Sequence, residues 1–200
     1  MGSPRKVRRR RPGRLQSFDY ATPGAYFITV CTWDRQVILG EVMGERVLLS
    51  DAGRIVEGTL SALPVHYPEI GLDAFVVMPN QVHGIIILEV VGAGLRPAPT
   101  DPTGNHAQRH ALPEIIRAFK SFSARGINEL RRTPGHPVWQ RGYYDHVIRE
   151  EQDLKRIRDY IFSNPLAWST DRQNPLHSGS DPFEDWLAKQ GRIPALKSRL

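Results

Sequence analysis

One cysteine, Cys31, stands alone in 200 residues, which excludes an internal disulfide and any zinc cluster built on cysteines. It points to a reducing cytoplasm. No apolar run approaches the ~20 residues that a membrane helix requires, so no membrane association is expected. The basic N-terminus has no apolar stretch behind it and does not read as a secretory signal. No P-loop and no serine in a nucleophile-elbow context occurs. "GAGLRP" (92–97) opens like a dinucleotide-binding turn, but Pro97 stands where the third glycine belongs. His106 and His110 have helical zinc-ligand spacing, yet they sit in a Pro/Gly-rich stretch, and Ala107 occupies the place of the metalloprotease glutamate.

Acid is missing from residues 1–18, which hold Arg5, Lys6, Arg8, Arg9, Arg10, Arg11 and Arg14. Removing those seven of the 27 basic residues leaves 20, against 21 acidic, so the net charge of +6 resides in this arm. Such a block cannot bury itself. It reads either as a salt-dependent contact to a phosphate backbone or as a solvated tail.

The remainder has ordinary globular composition, 40% hydrophobic and 24% charged. "AYFITVCTW" (25–33) reads as a strand, and "QVILGEVMGERVLLS" (36–50) as a hairpin turning near Met43-Gly44. Ser50-Asp51 caps a helix with Ile55, Val56, Leu60 and Leu63 on its apolar side. Strands 72–78 and 82–90 meet at Pro79-Asn80, and residues 92–112 form a loop. A helix over 113–132 carries Ile115, Ile116, Phe119, Phe122, Ile127 and Leu130 as its stripe. A strand over 138–149 and a helix over 150–164 follow. This order predicts an α+β, ferredoxin-like split β-α-β sandwich: an antiparallel sheet with helices on one face, one core, and an extra C-terminal helix. The expected division is a flexible arm (1–17), one domain (18–168) and a polar tail (169–200) in which Trp186 and Leu187 dock back.

Two polar features stand out. In "FVVMPNQVHGIIIL" (75–88), Gln81 and His83 project to one side of a strand. An imidazole beside an amide oxygen can ligate a divalent cation; a solvated polar pair at a strand entrance is the plainer alternative. On the last helix, Arg156, Tyr160 and Asn164 share a face. Tyr160 is either a boundary core residue with a wet hydroxyl or a phenol activated by a nearby cation.

"FDYATPGAYFITVCT" (18–32), "DAFVVMPNQVHGIII" (73–87), "GAGLRPAPT" (92–100), "LPEIIRAFKSFSARGINELR" (112–131) and "VWQRGYYDHVIREEQDLKRIRDYIFSNPLAW" (138–168) occur in one order. Together they resemble the REP-associated tyrosine transposases, relatives of the single-tyrosine transposases of small bacterial insertion sequences. The resemblance implies an HUH nuclease, in which two histidines flanking a hydrophobic residue bind Mg²⁺ or Mn²⁺. A tyrosine then attacks single-stranded DNA, leaving a 5′-phosphotyrosine, at repetitive extragenic palindromes that fold into hairpins. It implies Tyr160 as nucleophile, His83 as second histidine and Asn164 as third ligand. Gln81 replaces the family's first histidine. Activity is therefore expected to be weakened, and a hairpin-binding protein with impaired catalysis is the alternative. Arg8, Arg9, Arg10, Arg11, Arg117, Lys120, Arg131 and Arg132 are the expected DNA contacts, with Trp139, Tyr143 and Tyr144 available to stack on bases or pack in the core. A nucleoid-associated monomer is expected over a homodimer.

Overall fold

The computed structural model describes residues 19–89, 110–176 and 180–190. Its elements are β1 (Gly24–Cys31), β2 (Gly40–Met43), β3 (Arg46–Leu49), α1 (Asp51–Ser61), α2 (Leu63–His66), β4 (Ile70–Met78), β5 (Gln81–Leu88), α3 (Leu112–Arg131), β6 (Tyr144–Ile148), α4 (Glu151–Ser163) and α5 (Pro182–Gln190). The main sheet has the order β4-β5-β1-β6, and every neighbouring pair is antiparallel. With α1 and α3 as the crossovers, this is the ferredoxin-like arrangement. The β2–β3 hairpin stands apart and turns through Gly44, whose φ of 63° is a conformation glycine takes without strain. Ser50 caps α1 by accepting the Gly53 N–H at 3.1 Å.

Alternation along the strands builds two cores rather than the single one expected. Tyr26, Ile28, Val30, Val82 and Ile86 face α1 and α3, where Val56, Leu60, Ile115, Phe119 and Ile127 close the larger core. Their strand neighbours Phe27, Ile85 and Ile148 face the other way and meet Ile157, Tyr160 and Ile161 of α4 and Leu187 of α5. Beyond its two buried polar residues, Gln81 and His83, strand β5 is apolar on both sides because both sides are covered. The polar tail expected after residue 168 is, over its described part, a layer of the fold: Leu187 is buried, and Phe183 and Trp186 pack on this second core.

Two local expectations shift. Regular pairing near β6 covers only 144–148; before it, the carbonyls of Gln140, Arg141 and Gly142 accept from Lys120 Nζ at 2.5, 3.0 and 3.2 Å. On α3, Phe122 and Leu130 are exposed. Phe122 sits at the edge of the inward stripe and rests on His66, and Leu130 lies in the last turn. Ser123 is buried in their stead, its Oγ donating to Phe119 O (2.6 Å) and accepting from Trp139 Nε1 (3.0 Å). Trp139 is thus a core residue, and Tyr143 and Tyr144 pack against the two cores.

Candidate active site

Register decides which way the polar pair points. Cys31 pairs with Gln81 and Thr29 with His83 on one side of β5, while Met78 and Val76 pair with them on the other. Cross-strand partners share a face, so Gln81 and His83 both point towards α4. Neither is solvated: Gln81 is 0% and His83 1% exposed.

His83 is held by its surroundings. Its Nδ1 shares a 2.9 Å hydrogen bond with Thr29 Oγ1, and its ring stacks on Phe27, 8° from parallel. Burial pulls its pKa down to about 3, which keeps the imidazole neutral. Nε2 is buried without a hydrogen-bond partner. Gln81 donates from Nε2 to Asp171 Oδ2 at 2.6 Å, leaving Oε1 buried and unpartnered.

The facing residues come from α4. Glu151 and Asp153 in its first turn suit the positive end of the helix dipole, and Ile157 and Ile161 bury its inner stripe. Arg158 forks onto Asp73 of β4, from Nε at 3.1 Å and Nη2 at 2.6 Å, and ties the helix to the sheet. Tyr160 then meets His83 edge-on, ring centroids 5.2 Å apart. One turn on, the Asn164 side chain is fully buried, and neither Oδ1 nor Nδ2 closes a hydrogen bond of ordinary geometry. It lies near enough to Tyr160 and Asp171 to favour their charged forms.

The Tyr160 hydroxyl pKa is nevertheless raised, first by burial and then by the carboxylates of Asp171, Asp181 and Glu184. Burial likewise raises Asp171, and it pushes Glu184 up to about 7 with help from Asp181 and Asp171. Phe183 lies over the tyrosine ring at 3.5 Å, within 9° of parallel.

The fold therefore brings Gln81, His83, Tyr160 and Asn164 together, although Tyr160 and His83 stand 77 positions apart in sequence. Arg156 goes elsewhere, lying 4.9 Å over the Trp186 ring. Among the expected DNA contacts, Arg117, Arg131 and Arg132 are exposed, and Lys120 is occupied by the three carbonyls above. Arg8, Arg9, Arg10, Arg11 and the stretch 90–109 lie outside the described residues. Sequence reasoning missed Thr29, Asp171, Phe183 and Glu184. Thr29 follows only from knowing the β1–β5 register, and the other three lie in the segment read as a tail.

Gln81 Oε1, His83 Nε2 and Asn164 Oδ1 are buried donor atoms with no protein partner. One nitrogen and two oxygens of this kind suit Mg²⁺ or Mn²⁺. Among the described residues no group of three or more His, Cys, Asp or Glu side chains is arranged to hold a metal. None of the described helices is long and apolar enough to cross a membrane.

A histidine-bearing strand of a four-stranded antiparallel sheet thus faces a tyrosine-bearing helix, in a protein of the α+β class with a ferredoxin-like fold. The comparisons agree. No family model matches the chain. An uncharacterized protein of Haemophilus influenzae is 33% identical over 172 residues, covering 83% of this chain and 93% of its own. A second Haemophilus influenzae protein, named "Putative REP-associated tyrosine transposase", is 24% identical over 177 residues, covering 84% of this chain and 80% of its own. Among solved structures, a REP-associated tyrosine transposase bound to a REP hairpin matches with a TM-score of 0.53 at 18% identity, over 78% of this chain and 73% of that one. The chain belongs to one family with the first Haemophilus protein, a family related in sequence and in fold to the REP-associated tyrosine transposases.

Proposed function

We propose that the protein cleaves and rejoins single-stranded DNA at hairpin-forming repetitive extragenic palindromes, by metal-dependent transesterification through Tyr160. The observation that carries this reading is the meeting of the Tyr160 and His83 rings beside three buried, unpartnered donor atoms. Such atoms are costly to bury unless a ligand satisfies them.

In this reading Tyr160 Oη attacks the phosphorus, a P–O bond to the phenol forms, and the bond to the 3′-oxygen breaks. The phenolic proton passes to solvent, and the departing 3′-oxygen takes a proton from solvent to leave as a hydroxyl. The phosphoester energy stays in the covalent link, so the hydroxyl can reverse the step without ATP. His83 Nε2, Gln81 Oε1 and Asn164 would hold the Mg²⁺ or Mn²⁺ ion, with Nδ1–H of His83 donating to Thr29 so that Nε2 offers its lone pair. When bound, such an ion supplies charge stabilisation on the phosphate and lowers the phenol pKa. The basic arm and the exposed Arg117, Arg131 and Arg132 supply phosphate contacts for the hairpin. We expect a monomer acting at the nucleoid.

A second reading follows from Gln81, an amide where the resemblance implies an imidazole: the chain binds its hairpin and no longer cuts. Denaturing-gel detection of a covalent protein–DNA product separates the two. The first expects an adduct with Mn²⁺ that Tyr160→Phe abolishes; absence of any adduct at millimolar Mn²⁺ rules it out. The second expects hairpin binding indifferent to Tyr160→Phe, and an adduct only after Gln81→His.

A further inference from the structure

A glutamine offers a metal either of two faces of its amide, and only the oxygen is useful. What selects the face here is 90 residues away in sequence: Asp171 Oδ2, which accepts from Gln81 Nε2 at 2.6 Å. A carboxylate accepts and does not donate, so the amide NH₂ is the group turned to it.

Asp171 is itself fixed. It is 3% exposed, and its other oxygen accepts the Gln173 backbone N–H at 2.7 Å. The Gln173 carbonyl in turn accepts from Asn80 Nδ2 at 2.7 Å, in the hairpin turn that delivers Gln81 to its strand. These hydrogen bonds thereby join the loop after α4 and the β4–β5 turn around the amide. With its nitrogen committed, Gln81 Oε1 is left buried and unpartnered on the face that carries His83 Nε2.

We infer that Asp171 is a positioning residue that acts through Gln81, locking the side-chain amide so that Oε1 is the atom presented to a divalent cation beside His83. The inference rests on the metal-dependent reading above. It gives a physical account of how an amide can stand in an imidazole's place. A free amide rotates, and half of its orientations aim hydrogen atoms at the cation; the Asp171 bond removes those orientations before the ion arrives.

The test is Mn²⁺ binding to the full chain carrying Tyr160→Phe, followed by the loss of the free-ion electron paramagnetic resonance signal, so no turnover is needed. Asp171→Asn, Gln81→Ala and the double variant are compared in that background. Asparagine keeps an oxygen for the Gln173 N–H, and thermal midpoints report folding; Asp171→Ser takes its place if Asp171→Asn is unfolded. Asp171→Asn is expected to weaken Mn²⁺ binding about 10- to 100-fold. In the Gln81→Ala background the same change is expected to do nothing further, because the group it acts through has gone. An unchanged Mn²⁺ affinity in Asp171→Asn overturns the inference. So does a full effect in the Gln81→Ala background, which would make Asp171 a ligand or a simple charge. If the Tyr160→Phe parent binds no Mn²⁺ at all, the metal-dependent reading falls together with it. If the parent binds and only the Asp171 effect is missing, that reading stands.

Discussion

The ring of Phe183 lies face to face on that of Tyr160, centroids 3.5 Å apart, and leaves the tyrosine 9% exposed. In the proposed reaction, a phosphodiester approaching over that face of the ring meets α5 first. Burial is also the leading reason why the hydroxyl pKa is raised.

Phe183→Ala should therefore uncover Tyr160. The side chain is only partly buried, so the cost to stability is expected to be about 1–3 kcal/mol, below that of deleting a core phenylalanine. Tetranitromethane modification of Tyr160, read by peptide mass spectrometry, should be faster than in the parent, and adduct formation faster with it. Equal modification rates would show that α5 does not shield the ring.

Glu184 makes the docking of this layer pH-dependent. Its folded value of about 7 lies above the ordinary 4.5, so the fold favours the neutral carboxyl. The stabilisation is complete below about pH 4.5 and is lost as pH rises through about 7. The thermal midpoint should fall between pH 5 and pH 8, and Glu184→Gln should flatten that slope. A slope unaltered by the substitution would assign it to other groups.

Asp73 and Arg158 hold α4, and with it Tyr160, on the sheet. Asp73→Asn should lower the thermal midpoint and speed amide hydrogen exchange in α4, with α1 and α3 little affected. Uniform acceleration across all three helices would mean that the pair supports the whole domain rather than this helix.

Lys120 and Arg131 share a helix and should differ in kind. The Lys120 ammonium is engaged by three carbonyls, so Lys120→Met is expected to cost about 1–3 kcal/mol in stability and to leave the salt dependence of hairpin binding unchanged. Exposed Arg131→Ala should cost little stability and reduce the slope of log affinity against log salt by about 1. Fluorescence anisotropy on a labelled hairpin at several salt concentrations distinguishes them, and a reduced slope in Lys120→Met would return that residue to the DNA-binding set.

Local pattern determined most elements of this protein, though not α5. β-branched runs made β1, β4 and β5, Ser50 placed the start of α1, and a 3.6-residue period made α3 and α4 legible, because each signal acts within a few residues. Period-two alternation likewise put Gln81 and His83 on one face. Which face that was, and what it met, only the tertiary structure decided. The β1–β5 register set Thr29 opposite His83, and the Arg158–Asp73 fork brought Tyr160 over the sheet. A chain segment composed like a solvated tail instead supplied Asp171 to Gln81 and Phe183 to Tyr160. Those contacts join residues 23 to 90 positions apart in the chain, and their free energy comes from burial shared between layers, to which no local run of sequence is sensitive.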